Sequence, residues 1–167
     1  AIQQRPVRGP VLRRAAADRR HQAVRGGNAV TLLERQEHYV KTLGELDSFD
    51  QYTYLMGLAM ERPELSGVPR EESHRFLGCQ SNLWVSLEEE EGLLRMKADS
   101  DTLIVKGMAV MLADVVTGST PQEMAQANID LFQRLDLEVA LTSVRRNGFT
   151  ELIRSLQDQA RALAEHN

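Results

Sequence analysis

The chain has 167 residues, 42% of them hydrophobic and 26% charged, with a formal net charge of −4, which is ordinary globular composition with room for one domain and one sizeable core. Its single cysteine excludes an internal disulfide and the paired cysteines of zinc or redox motifs, and it points to a reducing compartment, the cytoplasm. No apolar run approaches the roughly 18 residues of a membrane span and no apolar signal-peptide core stands near Ala1, so export is not expected.

Charge is divided unevenly. Ala1 to Val30 carries Arg5, Arg8, Arg13, Arg14, Arg19, Arg20 and Arg25 against the single acid Asp18, so the remainder is acidic. Pro6, Pro10, Gly26 and Gly27 punctuate this stretch. We read residues 1–30 as a basic, flexible extension ahead of one folded domain over 31–167. A basic arm can touch nucleic acid or an acidic partner, and a transit peptide is also Arg-rich, but this segment lacks serine. Function is not placed here.

From Thr31, residues Leu32, Leu33, Gln36, Tyr39, Val40 and Leu43 fall on one helical face, predicting a helix that ends near Leu46. Ser48 is expected to cap a second helix, with Gln51 placed for a capping box, through Tyr52, Leu55, Met56 and Ala59 to the stop at Pro63. Pro69, Arg70, Glu71 and Glu72 read as a loop. The period then changes. His74–Leu77, Leu83–Leu87 and the alternating Leu94, Met96 and Ala98 predict a three-stranded antiparallel meander. Glu88 to Glu91 with Gly92 reads as a solvated hairpin tip, since it offers no spaced cation ligands.

Asp99 or Ser100 is expected to cap an amphipathic helix through Ile104, Gly107, Met108, Met111, Leu112 and Val115, with the methionines filling the core. Thr120, Pro121 and Glu123 form a capping box opening another helix. A short helix near Ile129–Leu135 precedes a last one with Phe149, Leu152, Ile153, Leu156, Ala160 and Leu163 on one face and Arg145, Arg146, Asn147 and Gly148 at its entrance. The expected fold is α+β, a small three-stranded antiparallel sheet flanked by helices in a single domain.

Cys79 is the residue that invites chemistry. A lone cysteine is often an inert buried hydrophobe. Here Gly78 offers φ freedom for a sharp turn, and Gln80, Ser81 and Asn82 are polar, so the thiol is expected near water at a strand end, where it can react as thiolate. No phosphate-binding glycine loop and no zinc-protease histidine pair is present. A cysteine hydrolase needs a histidine base and an orienting acid, and only His74 stands close in sequence.

Four separate segments together resemble the SufE-like sulfur-acceptor proteins of iron-sulfur cluster assembly, a family that includes CsdE. They are Pro63-Glu64-Leu65; Gly78-Cys79-Gln80-Ser81 with Trp84 and Val85; Asp99-Ser100-Asp101 with Ile104 to Gly107; and Arg145 with Asn147 and Gly148. The likeness covers about Thr31 to Ala164. It implies that Cys79 accepts sulfur from the persulfide of a cysteine desulfurase of the SufS or CsdA type, a pyridoxal phosphate enzyme, stimulates that enzyme, and passes the sulfur to an iron-sulfur scaffold.

In that scheme Gly78 permits the turn, Gln80 and Ser81 steady the thiolate, and Asp101 opens the central helix near the loop. Arg145, chosen over Arg146 by its distance from Asn147 and Gly148, lowers the thiol pKa or meets an acid on the partner. His74 is the remaining supporting residue. The protein itself is expected to be a carrier rather than an enzyme, as monomer or homodimer, with no cofactor, metal, nucleic acid or membrane. Two alternatives stay open: a conformational activator of a desulfurase that carries no sulfur itself, and a stand-alone cysteine hydrolase.

Overall fold

A computed structural model describes residues 30–137 and 140–166. The expected basic extension lies outside these residues except for Val30. The first helix, α1 (Leu32–Gly44), begins in a complete capping box, with Thr31 Oγ1 accepting from Glu34 N and the Glu34 carboxylate from Thr31 N. The second, α2 (Ser48–Glu61), is capped one residue earlier than expected, because Asp47 accepts from Asp50 N at 2.8 Å and leaves Ser48 inside the first turn. Gln51, expected in a capping box, is buried and donates from Nε2 to the Leu43 carbonyl at 2.9 Å, tying α2 to the end of α1.

Only two of the three expected strands form. β1 (Leu83–Glu90) pairs antiparallel with β2 (Leu93–Ser100), from Leu83↔Ser100 to Glu90↔Leu93. The glutamate run is therefore mostly strand, and the tip narrows to Glu91 and Gly92, whose φ of 56° and 81° match the two left-handed positions of a type I′ turn. The segment expected as the third strand, His74–Leu77, makes one isolated bridge, Arg75↔Trp84. Its N-terminal part is drawn into a 3₁₀ turn, Glu72–His74, whose local bonds use the N–H groups of His74 and Arg75. The outer edge of β2 is covered by the chain at 117–119, where Leu94 N donates to Ser119 O at 2.7 Å and Met96 N to Thr117 Oγ1 at 3.0 Å.

The central helix, α3 (Leu103–Val116), was expected to be amphipathic, but from Ile104 to Val116 all but Lys106 are buried, so it is the axis of the core. It packs against α2 and β2. Gly107 makes the α2 crossing possible, since a Cβ there would stand 2.2 Å from the Leu55 carbonyl oxygen. Neither Asp99 nor Ser100 caps α3: both lie in β2, the N-cap is Thr102, and no side chain caps it. Asp114 is the buried acid of α3. It accepts from Tyr39 Oη and, at 3.0 Å, from Arg62 Nη2, while Arg62 Nε is paired with Glu64. Burial weakens the Arg62 cation, and Asp114 and Glu64 more than restore it.

Three helices complete the chain: α4 (Pro121–Gln126), α5 (Leu131–Arg134) and α6 (Ser143–Glu165). Thr120 caps α4 with proline at the first position, but the capping box is only half made, because the Glu123 carboxylate accepts instead from Leu32 N of α1 at 2.7 Å. Thr142 caps α6, which lays Phe149, Leu152, Ile153, Leu156 and Ala160 on the core, with Phe149 stacked on Phe132 at 4.4 Å between centroids.

Candidate functional site

Cys79 lies in an irregular loop, Leu77–Asn82, between the Arg75 bridge and β1. The loop is closed at its base, where Phe76 N donates to Leu83 O at 2.8 Å. Asn82 anchors its second half. The Asn82 side chain accepts from Arg75 Nη2 at 2.9 Å and donates to Asp101 Oδ2 at 2.7 Å, while its carbonyl accepts from Ser100 Oγ at 2.6 Å. Beneath the first half lies α6. A Cβ on Gly148 would meet the Gly78 carbonyl oxygen at 3.3 Å and Cys79 Cα and Cβ at 3.8 Å, so the helix supports the cysteine backbone at contact distance.

The thiol is free and half-buried, which agrees with the expectation of a cysteine near water. Leu77, two residues before it, is 80% exposed, and Val144, one turn before Gly148 on α6, is 49% exposed. Both are large apolar side chains left to solvent.

A second network fixes the base of the hairpin. Arg70 lies over the Trp84 ring, 5.0 Å from its centroid, and donates from Nε to Asp99 Oδ2 at 2.9 Å, while Lys106 Nζ reaches Asp99 Oδ1 at 3.3 Å. Burial pushes the Asp99 carboxyl up, but Arg70, then Lys106 and the Ser100 N–H, outweigh it and hold the group below the usual carboxylate range. The chain before the cysteine is thereby tied to the end of β2.

The structure brings some of the expected site residues together and leaves others apart. Asp101 meets the Cys79 loop through Asn82. Gly78 is adjacent to the thiol, but it lies outside the left-handed region; its missing side chain is explained instead by the Phe76 ring, 2.7 Å from where a Cβ would stand. Gln80 is exposed and Ser81 half-buried, and the loop's anchoring bonds pass to Asn82 rather than to them. Arg145 is one turn before Gly148, with its guanidinium donating to the Ala140 carbonyl at 2.8 Å. Arg146 donates to the Phe132 carbonyl on another side of the helix. His74 sits in the 3₁₀ turn and faces a groove between β1 and α6.

Arg75 and Asn82 carry no assigned role in the sequence reading, Ser100 enters it as a cap candidate and a member of a matched segment, and Gly148 only as a member of another. The usable signals were the amide immediately before a strand and the glycine inside an otherwise good helix pattern. Among the described residues no three of His, Cys, Asp and Glu gather as a metal site, and no helix is long and apolar enough to cross a membrane.

Comparison with known proteins gives two findings. The family described as SufE, Fe-S metabolism associated domain, matches residues 37–160. A solution structure of a hypothetical protein from Thermus thermophilus is similar in fold, with a TM-score of 0.64 at 22% identity over 77% of this chain and 94% of that one.

Proposed function

This chain belongs to the SufE family, associated with Fe-S metabolism, and from that premise we propose that it is a persulfide carrier: Cys79 accepts sulfur from a cysteine desulfurase and hands it on for iron-sulfur cluster assembly. The observation that carries the reading is the presentation of the one cysteine. It stands half-buried on a loop clamped by Asn82 and supported by Gly148, with Leu77 projecting beside it for a partner surface.

The transfer is a thiol exchange. The Cys79 thiolate attacks the outer sulfur of the partner's Cys–S–SH, a new S–S bond forms, the partner's S–S bond breaks, and the partner leaves as a thiolate. The proton stays on the transferred sulfur, and there is no net oxidation or reduction. Half-burial suits a persulfide that must be kept from oxidants between partners. Arg145, one turn from Gly148, is assigned the pairing with the thiolate or with an acid of the partner, by exchanging its Ala140 carbonyl for the new anion. Asp101 and Asn82 hold the loop, and Gln80 and Ser81 meet solvent and the partner. His74 is given no part in the transfer.

Intact-mass spectrometry after incubation with a cysteine desulfurase and free cysteine tests this. The native chain is expected to gain one or more sulfur atoms and Cys79→Ala none. Faster cysteine turnover with no sulfur gained on the native chain would instead establish an activator that carries no sulfur.

A further inference from the structure

The second helix, α2, is apolar on both of its faces. Tyr54, Leu55 and Leu58 are buried against the core, whereas Phe49, Thr53, Met56 and Met60 recur at helical spacing on the opposite side, with Tyr52 at the margin. There Phe49 is 77% exposed and Met60 67%. A helix apolar all round belongs in an interior, and an exposed row of large apolar side chains marks a contact surface. From Phe49 to Met60 the row is roughly 16 Å long at about 1.5 Å per residue.

Charge selects what covers it. Residues 45–64 hold five acids, Glu45, Asp47, Asp50, Glu61 and Glu64, and a single base, Arg62, which is buried and paired with Asp114 and Glu64. Within α2 itself Asp50 and Glu61 lie on one rim of the apolar row, three turns apart, and there is no lysine or arginine. A second copy of α2 packed antiparallel brings Asp50 to Glu61, and in either direction it supplies neither acid with a cation. The fitting occupant is apolar and basic. Residues 1–29 of the same chain are both: seven arginines stand against Asp18, with Val7, Val11, Leu12 and the alanines at 15–17 among them.

The point where this segment joins the domain agrees. The Val30 carbonyl accepts from Arg35 Nη1, and Arg35 Nε donates to the Val115 carbonyl at 2.9 Å, so the chain enters at the C-terminal end of α3. α2 runs parallel to α3, with Leu55 at Gly107 and Arg62 at Asp114, which puts the Met60 end of the apolar row at that same end of the domain. Residues 1–29, at up to roughly 3.3 Å each, are ample to turn back at Gly26 and Gly27 and run the length of the row.

We propose that residues 1–29 dock in cis on the outer face of α2, with Val7, Val11 and Leu12 on the row from Phe49 to Met60 and arginines beside Asp50 and Glu61. The tether keeps the segment at an effective concentration of about millimolar, so modest apolar content suffices. The proposal does not depend on Cys79 carrying sulfur.

The test uses the full chain, because its six methionines report on it directly. Met56 and Met60 lie on the outer face of α2, whereas Met96, Met108, Met111 and Met124 are buried and serve as controls. In methyl NMR the Met60 methyl is expected to contact the methyls of Val11 or Leu12. Joint substitution Val11→Asp and Leu12→Asp should abolish those contacts and move the Met56 and Met60 signals while the four buried ones stay in place. Oxidation of Met60 by hydrogen peroxide, read by peptide mass, should be faster in that variant by about threefold or more. Met56 and Met60 signals and Met60 oxidation rates that are the same in both chains would overturn the proposal. Signals that move on tenfold dilution of the native chain would show that a second copy covers the face, and would overturn it too. Sulfur uptake at Cys79 is read separately by mass, so failure of one reading leaves the other standing.

Discussion

Two polar networks in this protein use similar side chains for opposite ends. In the core, Arg62, Asp114 and Tyr39 meet where almost no water reaches, and Glu64 joins them at the rim. At the surface, Arg75, Asn82 and Asp101 meet around the Cys79 loop in solvent. The buried set is costly to break, because removing one partner strands a desolvated charge. The exposed set is cheap to break, because water replaces each lost bond. The first therefore holds the fold, and the second can hold a loop that the proposed transfer requires to meet a partner.

The sharpest way to break this contrast is Asp114→Ala. It leaves Arg62 without its buried acid and Tyr39 Oη without its acceptor, and the expected loss is about 3–5 kcal/mol in urea unfolding. A loss below about 1 kcal/mol would mean that the buried network does not hold the fold.

Gly148→Ala probes the supported side of the loop. Alanine gains up to about 1 kcal/mol of helix propensity, whereas its methyl requires the Gly78 carbonyl, 3.3 Å away, to give by a small shift. Overall stability should stay within about 1 kcal/mol of the native chain, while sulfur uptake by Cys79 slows by about threefold to tenfold, since displacement of a reacting group is felt in rate. Unchanged uptake would show that contact with α6 does not set the position of the thiol.

Asn82→Ala removes the side-chain links to Arg75 and Asp101 but keeps the backbone link to Ser100. The expected cost is about 0.5–1 kcal/mol. The informative reading is iodoacetamide alkylation of Cys79, which should speed up while the melting temperature moves little.

The smallest effect is in pH. Asp99 has a folded-state pKa below its unfolded value, near 3.9, so its contribution is complete above that value and fades as pH falls through the lower folded-state pKa. The stability gap between the native chain and Asp99→Asn should be widest above about pH 5 and should close in more acidic solution. A gap that stays constant would remove the Arg70–Asp99–Lys106 pairing from the account.

The sheet shows where local reading failed. The alternation of Leu94, Met96 and Ala98 was legible because each strand residue carries its burial in its own side chain. His74–Leu77 offered only Phe76 and Leu77 as apolar content, and the loop sends Leu77 to solvent. Ser48 for Asp47 is a smaller case: two adjacent cap formers compete, and the helix takes the earlier one. Of the candidate site, Cys79, Asp101 and Gly148 were legible as residue types in matched segments, whereas the support that Gly148 gives the Cys79 backbone was not, and Asn82 looks in sequence like a turn amide.

The sequence by itself determined most of the helices with their breaks, the hairpin, the one cysteine as candidate and the family likeness, because these depend on short-range spacing and on the identity of side chains. Only the tertiary structure decided that α3 is buried nearly all round, that Glu123 caps a helix 91 positions away, that α6 passes beneath Cys79, and that one sheet edge is covered by the chain at 117–119 while the other carries one isolated bridge. Each of those outcomes joins residues far apart in the chain, and packing alone selects which distant surfaces meet.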